Sequence, residues 1–277
     1  MRRGRRRRLS RFRPAEKQGG CGGRDMTVRS IFVVGGASGI GLETARYFLE
    51  HGDAVTIVDV DAEKVSQAEA ALARSGGRVS GVPADVRERD SLGAAFAHGA
   101  ARHGGIDALV FTAGVLLPAT LADMTDEVYD LTFDVNARGF WRCAQAALPH
   151  FPDTGGAIVA ISSSAGLRPK AGNGAYAASK VALQFLARTL ALEVAHRQIR
   201  VNCICPSMLK TPMTEKFIAG SAQGGFHLTA TTPLGRLCTE ADIARTIAFL
   251  CSEDASFITG ATIAVDGGST AGMAMAR

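Results

Sequence analysis

Tyr176 and Lys180 stand four positions apart in the run GAYAASK, and Ser163 precedes the tyrosine by thirteen positions in the cluster ISSSAG. A tyrosine is a poor proton carrier at neutral pH, because its unperturbed pKa is about 10. On a helix, residues i and i+4 share a face, so this spacing turns the phenol and the ammonium the same way. A nearby ammonium favours the phenolate and brings the phenol down, and a group tuned toward neutral pH can both give and take a proton during turnover. A YxxxK match by itself is weak. Beside a serine just past a strand, it reads as a working acid/base pair. Arg168 and Lys170, between Ser163 and Tyr176, read as solvated charge, with contact to an anionic substrate group as the alternative.

A second constellation lies at the other end of the chain. An apolar run ends in Gly35-Gly36-Ala37-Ser38-Gly39-Ile40-Gly41, and a helical pattern follows. Glycines here permit a tight turn and let a pyrophosphate approach the backbone, while the helix N-terminus offers free N–H groups and a positive dipole end. The spacing is Gly-x-x-x-Gly-x-Gly, not the Gly-x-Gly-x-x-Gly of the general dinucleotide fingerprint. Asp59 ends the second strand eighteen positions after Gly41, where a carboxylate can accept from both hydroxyls of an adenosine ribose. Asp85 follows the third strand, within reach of an adenine.

The elements that must hold these groups alternate. Short β-branched runs at Ile31–Val34, Ala54–Val58, Arg78–Pro83, Ala108–Phe111, Ala157–Ile161, Ile199–Ile204 and Thr262–Val265 read as strands. Helical patterns at Leu42–Glu50, Ala62–Arg74, Arg89–Arg102, Asp126–Leu148, Ala175–Ala195 and Glu240–Leu250 separate them. This alternation implies right-handed crossovers and a parallel sheet covered on both faces. The continuous apolar character of the strands agrees, since such strands are buried on both sides. Ser207–Arg236 breaks the rhythm with Gly220, Gly224, Gly225 and two prolines and reads as a lid over a pocket, with His227 inside it in no catalytic role. Asp266-Gly267-Gly268 reads as a structural turn.

Gly35-x-x-x-Gly39-x-Gly41, Asp59, Asn136, Ser163, Tyr176-x-x-x-Lys180 and Pro206, in this order, resemble the short-chain dehydrogenase/reductase family from about Thr27 to Gly268. The resemblance implies an α/β fold: a Rossmann-like, doubly wound, seven-stranded parallel sheet with helices on both faces, in one domain. It implies nicotinamide-dependent interconversion of an alcohol and a carbonyl. Tyr176 would be the acid/base, Lys180 would hold the nicotinamide ribose and acidify the tyrosine, Ser163 would orient the substrate oxygen, and Asn136 would anchor a water feeding the lysine. The cofactor set implied is Gly35, Ser38, Gly39, Ile40, Gly41 and Asp59 at the first two strands, then Asp85 and Val86. Thr112, Ala113 and Gly114 follow the fourth strand; Tyr176 and Lys180 join them, with Pro206, Leu209 and Thr211 beyond the sixth. The chain departs from the family pattern at Val34, at Phe111-Thr112 and at Ser207, so the turn around Ala113 is expected to be braced differently.

Composition bounds the rest. Hydrophobic types make up 47% of 277 residues, enough for a large core, and no apolar run is long enough to cross a bilayer. The net charge of +5 is uneven: residues 1–25 carry nine arginines and one lysine against two acids, so the remainder is acidic. That basic tail is expected to be disordered, Met26 is a candidate start of the working protein, and residues 26–277 form the NAD-binding domain. Six cysteines without metal spacing point to a reducing, cytoplasmic setting. The expected protein is an NAD-dependent dehydrogenase of a small secondary alcohol or ketone, a homotetramer packing through the helix after Tyr176, with no metal and no membrane partner. The alternatives are an NADPH-dependent ketoreductase of the 3-oxoacyl-carrier-protein type, a dinucleotide-sensing regulator without catalysis, and nucleic-acid binding by the tail.

Overall fold

Seven strands, β1 (Ser30–Val34), β2 (Ala54–Asp59), β3 (Val79–Pro83), β4 (Ala108–Phe111), β5 (Gly156–Ile161), β6 (Ile199–Pro206) and β7 (Thr262–Val265), make one sheet in the order β3-β2-β1-β4-β5-β6-β7. Every neighbouring pair is parallel. The computed structural model describes residues 28–74, 76–209 and 232–272. The basic tail, most of the expected lid, Thr211 and His227 lie outside those residues. Among the described residues no helix is long and apolar enough to cross a membrane.

The helices are α1 (Gly39–Glu50), α2 (Ala62–Ala73), α3 (Arg89–His103), α4 (Asp126–Phe133), α5 (Gly139–Ala147), α6 (Gly174–Val194) and α7 (Glu240–Leu250). Side chains alternate along β1 and divide the core in two. Phe32 and Val34 pack with Leu92 and Phe96 of α3, Phe140 of α5 and Leu183 of α6. Ile31 and Val33 pack with Phe48 of α1, Val65 of α2 and Ile247 of α7. Burial on both faces is why the strands read as unbroken apolar runs. Each large side chain so buried stabilises the fold by roughly 1.5–3 kcal/mol.

One expected element is different. The single helix anticipated over Asp126–Leu148 is α4, then a π-helical turn at Asp134–Arg138, then α5, with a final 3-10 turn at Leu148–His150. The wider turn leaves the apolar spacing readable as one helix, so the sequence carries no sign of it. It is the turn that carries Asn136. Such insertions recur at functional sites because they redirect a side chain out of the helical ladder.

Candidate active site

The strand order reverses between β1 and β4, and the crevice beyond the carboxyl ends of the strands at such a switch point is where ligands bind in this class of fold. A cavity of about 780 Å³ opens there. Its lining includes Gly35, Ser38, Gly39, Ile40, Gly41, Asp59, Asp85, Val86, Thr112, Ala113 and Gly114. It continues through Ser163, Tyr176 and Lys180 to Pro206 and Leu209.

The glycine turn is shaped by contacts that exclude any side chain. Gly35 has φ +80, and a Cβ there would lie 2.6 Å from the Ala113 nitrogen. A Cβ on Gly41 would collide with the Gly35 carbonyl oxygen and Thr112 Oγ1. Thr112 Oγ1 donates to the carbonyls of Val34 (2.8 Å) and Gly35 (3.1 Å). The hydroxyl therefore braces the turn, and Phe111 beside it is a core residue set edge-on against Phe140. Ser38 is extended at the start of α1 and makes no side-chain cap bond, which leaves the first N–H groups of the helix without partners inside it. Asp59 hangs beneath the turn, its Oδ2 accepting from the Ala37 N–H at 3.2 Å. Lys64 is ion-paired with Asp61 at 2.8 Å. Asp85 is forked by the Arg87 guanidinium, which holds its carboxyl below the usual carboxylate range. These groups fit an anionic dinucleotide: a side-chain-free cradle at a helix N-terminus, then a carboxylate at the second strand.

The acid/base candidates gather at the other end. Lys180 is buried, and its Nζ donates to the Ile161 carbonyl at 2.8 Å while lying 5.8 Å from the centre of the Tyr176 ring. Burial brings the ammonium down to about 8. Desolvation pushes Tyr176 up, and the opposing pull comes from its hydrogen bond with Ser163. Ser163 also accepts from the Ala165 N–H at 3.1 Å, which fixes its rotamer at the end of β5. Asn136 is fully buried. Its Oδ1 accepts from the Val115 N–H (2.8 Å), and its Nδ2 donates to the Val115 carbonyl (3.0 Å) and to Ser179 Oγ (3.0 Å). A Cβ on Gly114 would touch both Asn136 Oδ1 and Lys180 Nζ, at 3.1 and 3.2 Å.

Three supporting residues, Ser162, Ser179 and Gln184, lie outside the set expected for the site. Ser162 Oγ donates to the Lys180 carbonyl at 3.1 Å and accepts from Gln184 Nε2 at 2.9 Å, and Ser179 holds Asn136. The i+4 continuation from Lys180 to Gln184 was the available signal for one of them. The turn at Asp266 is structural as expected: its carboxylate accepts from the Gly268 and Thr270 N–H groups.

Comparison with known proteins agrees with this geometry. A family model described as enoyl-(acyl carrier protein) reductase matches residues 35–270. The cis-4-hydroxycyclohexanecarboxylate dehydrogenase of Sinomonas cyclohexanicum is 39% identical over 246 residues, covering 88% of this chain and 97% of that protein. The chain belongs to the short-chain dehydrogenase/reductase family. The oxidoreductase UcpA of Salmonella typhimurium is 35% identical over 252 residues, covering 88% of this chain and 95% of its own length. Among solved structures, a 3-ketoacyl-(acyl-carrier-protein) reductase from Brucella melitensis complexed with NADH superposes with a TM-score of 0.78 at 29% identity, covering 87% of this chain and 98% of that one. This short-chain dehydrogenase/reductase is therefore an oxidoreductase of a family that binds a nicotinamide cofactor and acts on CH–OH groups.

Proposed function

We propose that the protein is an NAD-dependent dehydrogenase/reductase that interconverts a secondary alcohol and a ketone, with Tyr176 as acid/base. The observation that carries this reading is one continuous cavity lined by the glycine cradle and Asp59 at one end and by Ser163, Tyr176 and Lys180 at the other. A nicotinamide dinucleotide bound there supplies the hydride acceptor for oxidation, the hydride donor for reduction and, in its oxidised form, a positive ring charge. Gly35, Ser38, Gly39, Ile40 and Gly41 would hold its phosphates, Asp59 its adenosine ribose, Asp85 and Val86 its adenine end, and Thr112, Ala113, Gly114, Pro206, Leu209 and Thr211 the remainder. Tyr176 takes the carbinol proton in oxidation and returns it to the carbonyl oxygen in reduction. Ser163 donates a hydrogen bond to that oxygen as charge develops on it. Lys180 favours the phenolate over the phenol, and Asn136 fixes the backbone beside it.

Asp59 supports NAD over NADP. Its carboxylate accepts from ribose hydroxyls, whereas a 2′-phosphate would bring like charge against it, and Lys64 is already engaged by Asp61. The rival, an NADPH-dependent 3-oxoacyl-carrier-protein reductase, draws on the Brucella neighbour, but that structure holds NADH. The working form we propose is a cytoplasmic homotetramer. Its support is the outer face of α6, where Phe185 and Leu192 are 61% and 81% exposed. The experiment is a panel of secondary alcohols and ketones assayed with both cofactors. The expected result is turnover with NAD or NADH. Absence of hydride transfer with either cofactor on every substrate overturns the reading.

A further inference from the structure

The two ends of the cavity differ in charge. Near the cradle stand the carboxylates Asp59 and Asp85, the latter paired with Arg87, so the balance there is negative. Around Tyr176, every formal charge among the described lining residues is positive: Lys180, Arg168 and Lys170. Lys180 is buried and bonded to the Ile161 carbonyl. The other two sit on the segment between the Ser164–Gly166 turn and α6, exposed at the cavity's edge.

That segment is fastened along its length. The Arg168 N–H donates to the Ser164 carbonyl at 2.9 Å, and the Asn173 N–H donates to the Lys170 carbonyl at 3.2 Å. The Ala119 N–H donates to the Gly172 carbonyl at 3.0 Å, and Ala119 and Asn173 form a parallel bridge. The cations are thus carried on backbone fixed before any substrate arrives, which lowers the ordering cost of using them. Partial burial of the exposed Lys170 side chain brings its ammonium down from its ordinary value. Leu116, Leu131 and Val135 give the same half of the cavity an apolar wall. An oxygen placed at Tyr176, a hydrocarbon body along this wall and an anion at Arg168 form one amphipathic ligand.

We propose that Arg168, with Lys170, binds a carboxylate on the substrate, so that the protein acts on hydroxy acids and their oxo acids in preference to neutral alcohols and ketones. This rests on the oxidoreductase reading above. The test uses 4-oxopentanoate, 5-oxohexanoate and 6-oxoheptanoate beside their methyl esters, with NADH and NADPH, in wild type and in Arg168→Gln. The expected result is that at least one acid exceeds its ester in kcat/KM by about tenfold, the effect of one charge-assisted contact. Arg168→Gln lowers that acid-to-ester ratio about tenfold, through the KM of the acid. Raising the salt concentration weakens the acid more than the ester, because an exposed ion contact is screened.

Preference for the esters, or an equal loss on acid and ester in Arg168→Gln, overturns the carboxylate assignment and leaves the oxidoreductase reading in place. A further arm uses acetoacetyl-CoA, whose anionic groups are phosphates. A preference for it over all the free acids also overturns the assignment. Reduction of none of these compounds, in a protein that still reduces a neutral ketone elsewhere in the panel, does the same.

Discussion

Tyr176 sits where two forces on its proton oppose one another. Desolvation holds the phenol neutral, and its hydrogen bond with Ser163 draws it toward the phenolate. Phe would lose the hydrogen bond with Ser163 but nothing the glycine cradle uses, so Tyr176→Phe is expected to lower kcat by about 10²–10⁴-fold, with NADH affinity by fluorescence titration held within a few-fold. Asp59→Ala is expected to reduce the NAD-over-NADP ratio of kcat/KM by about 100-fold, since it removes charge-assisted bonds and like-charge repulsion together; an unchanged ratio would remove Asp59 as the selector. Lys180 gives a pH test. Its folded value of about 8 lies below the 10.5 of an exposed lysine. Above about pH 10.5 neither the folded nor the unfolded chain carries this proton. As pH falls toward 8 the unfolded chain takes it up first, so folding loses stability across that window. Melting curves from pH 7 to 10 should therefore show wild type gaining on Lys180→Met as pH rises, whereas a pH-independent difference would contradict the buried ammonium.

At the scale of elements, the π turn between α4 and α5 matters most. It turns Asn136 out of the helical ladder and onto Val115, whose N–H and carbonyl it satisfies as a neighbouring strand would. This ties the segment after β4 to the helix layer directly behind Gly114 and Lys180. Asn136→Ala leaves both backbone groups of Val115 without these partners. It is expected to cost about 2 kcal/mol in urea unfolding and to lower kcat more than it raises KM. Wild-type stability in that variant would show that water replaces the amide at no cost.

For the whole molecule, α6 has two unlike faces. The strip that begins at Lys180 and Gln184 is turned inward to the site, and Leu183, Ala187 and Ala191 meet the sheet. Val181, Phe185, Leu186 and Leu192 are left on the outside. An apolar strip on that scale is unusual on a chain that stays alone. Light scattering at micromolar concentration is expected to give a tetramer for wild type and a smaller species for Phe185→Glu. A wild-type monomer would rule out the assembly.

The sequence by itself determined the strand and helix order, the glycine cradle, Asp59 and the Ser163, Tyr176 and Lys180 set. Each of these depends on local chemistry: apolar period, glycine at a turn, i+4 spacing on one helix. Neither the π turn nor the pairing of Asn136 with Val115 could be read there, because a partner 21 positions away leaves no periodic trace. The direction of the Tyr176 shift was likewise hidden. Spacing showed that an ammonium was near, but only the tertiary structure decided how deeply the phenol is buried, where the lysine spends its hydrogen bond and that desolvation outweighs Ser163. The departure at Thr112 shows the same division. Its hydroxyl was visible in the sequence, and only the fold showed that it reaches back across the sheet to brace the turn after β1.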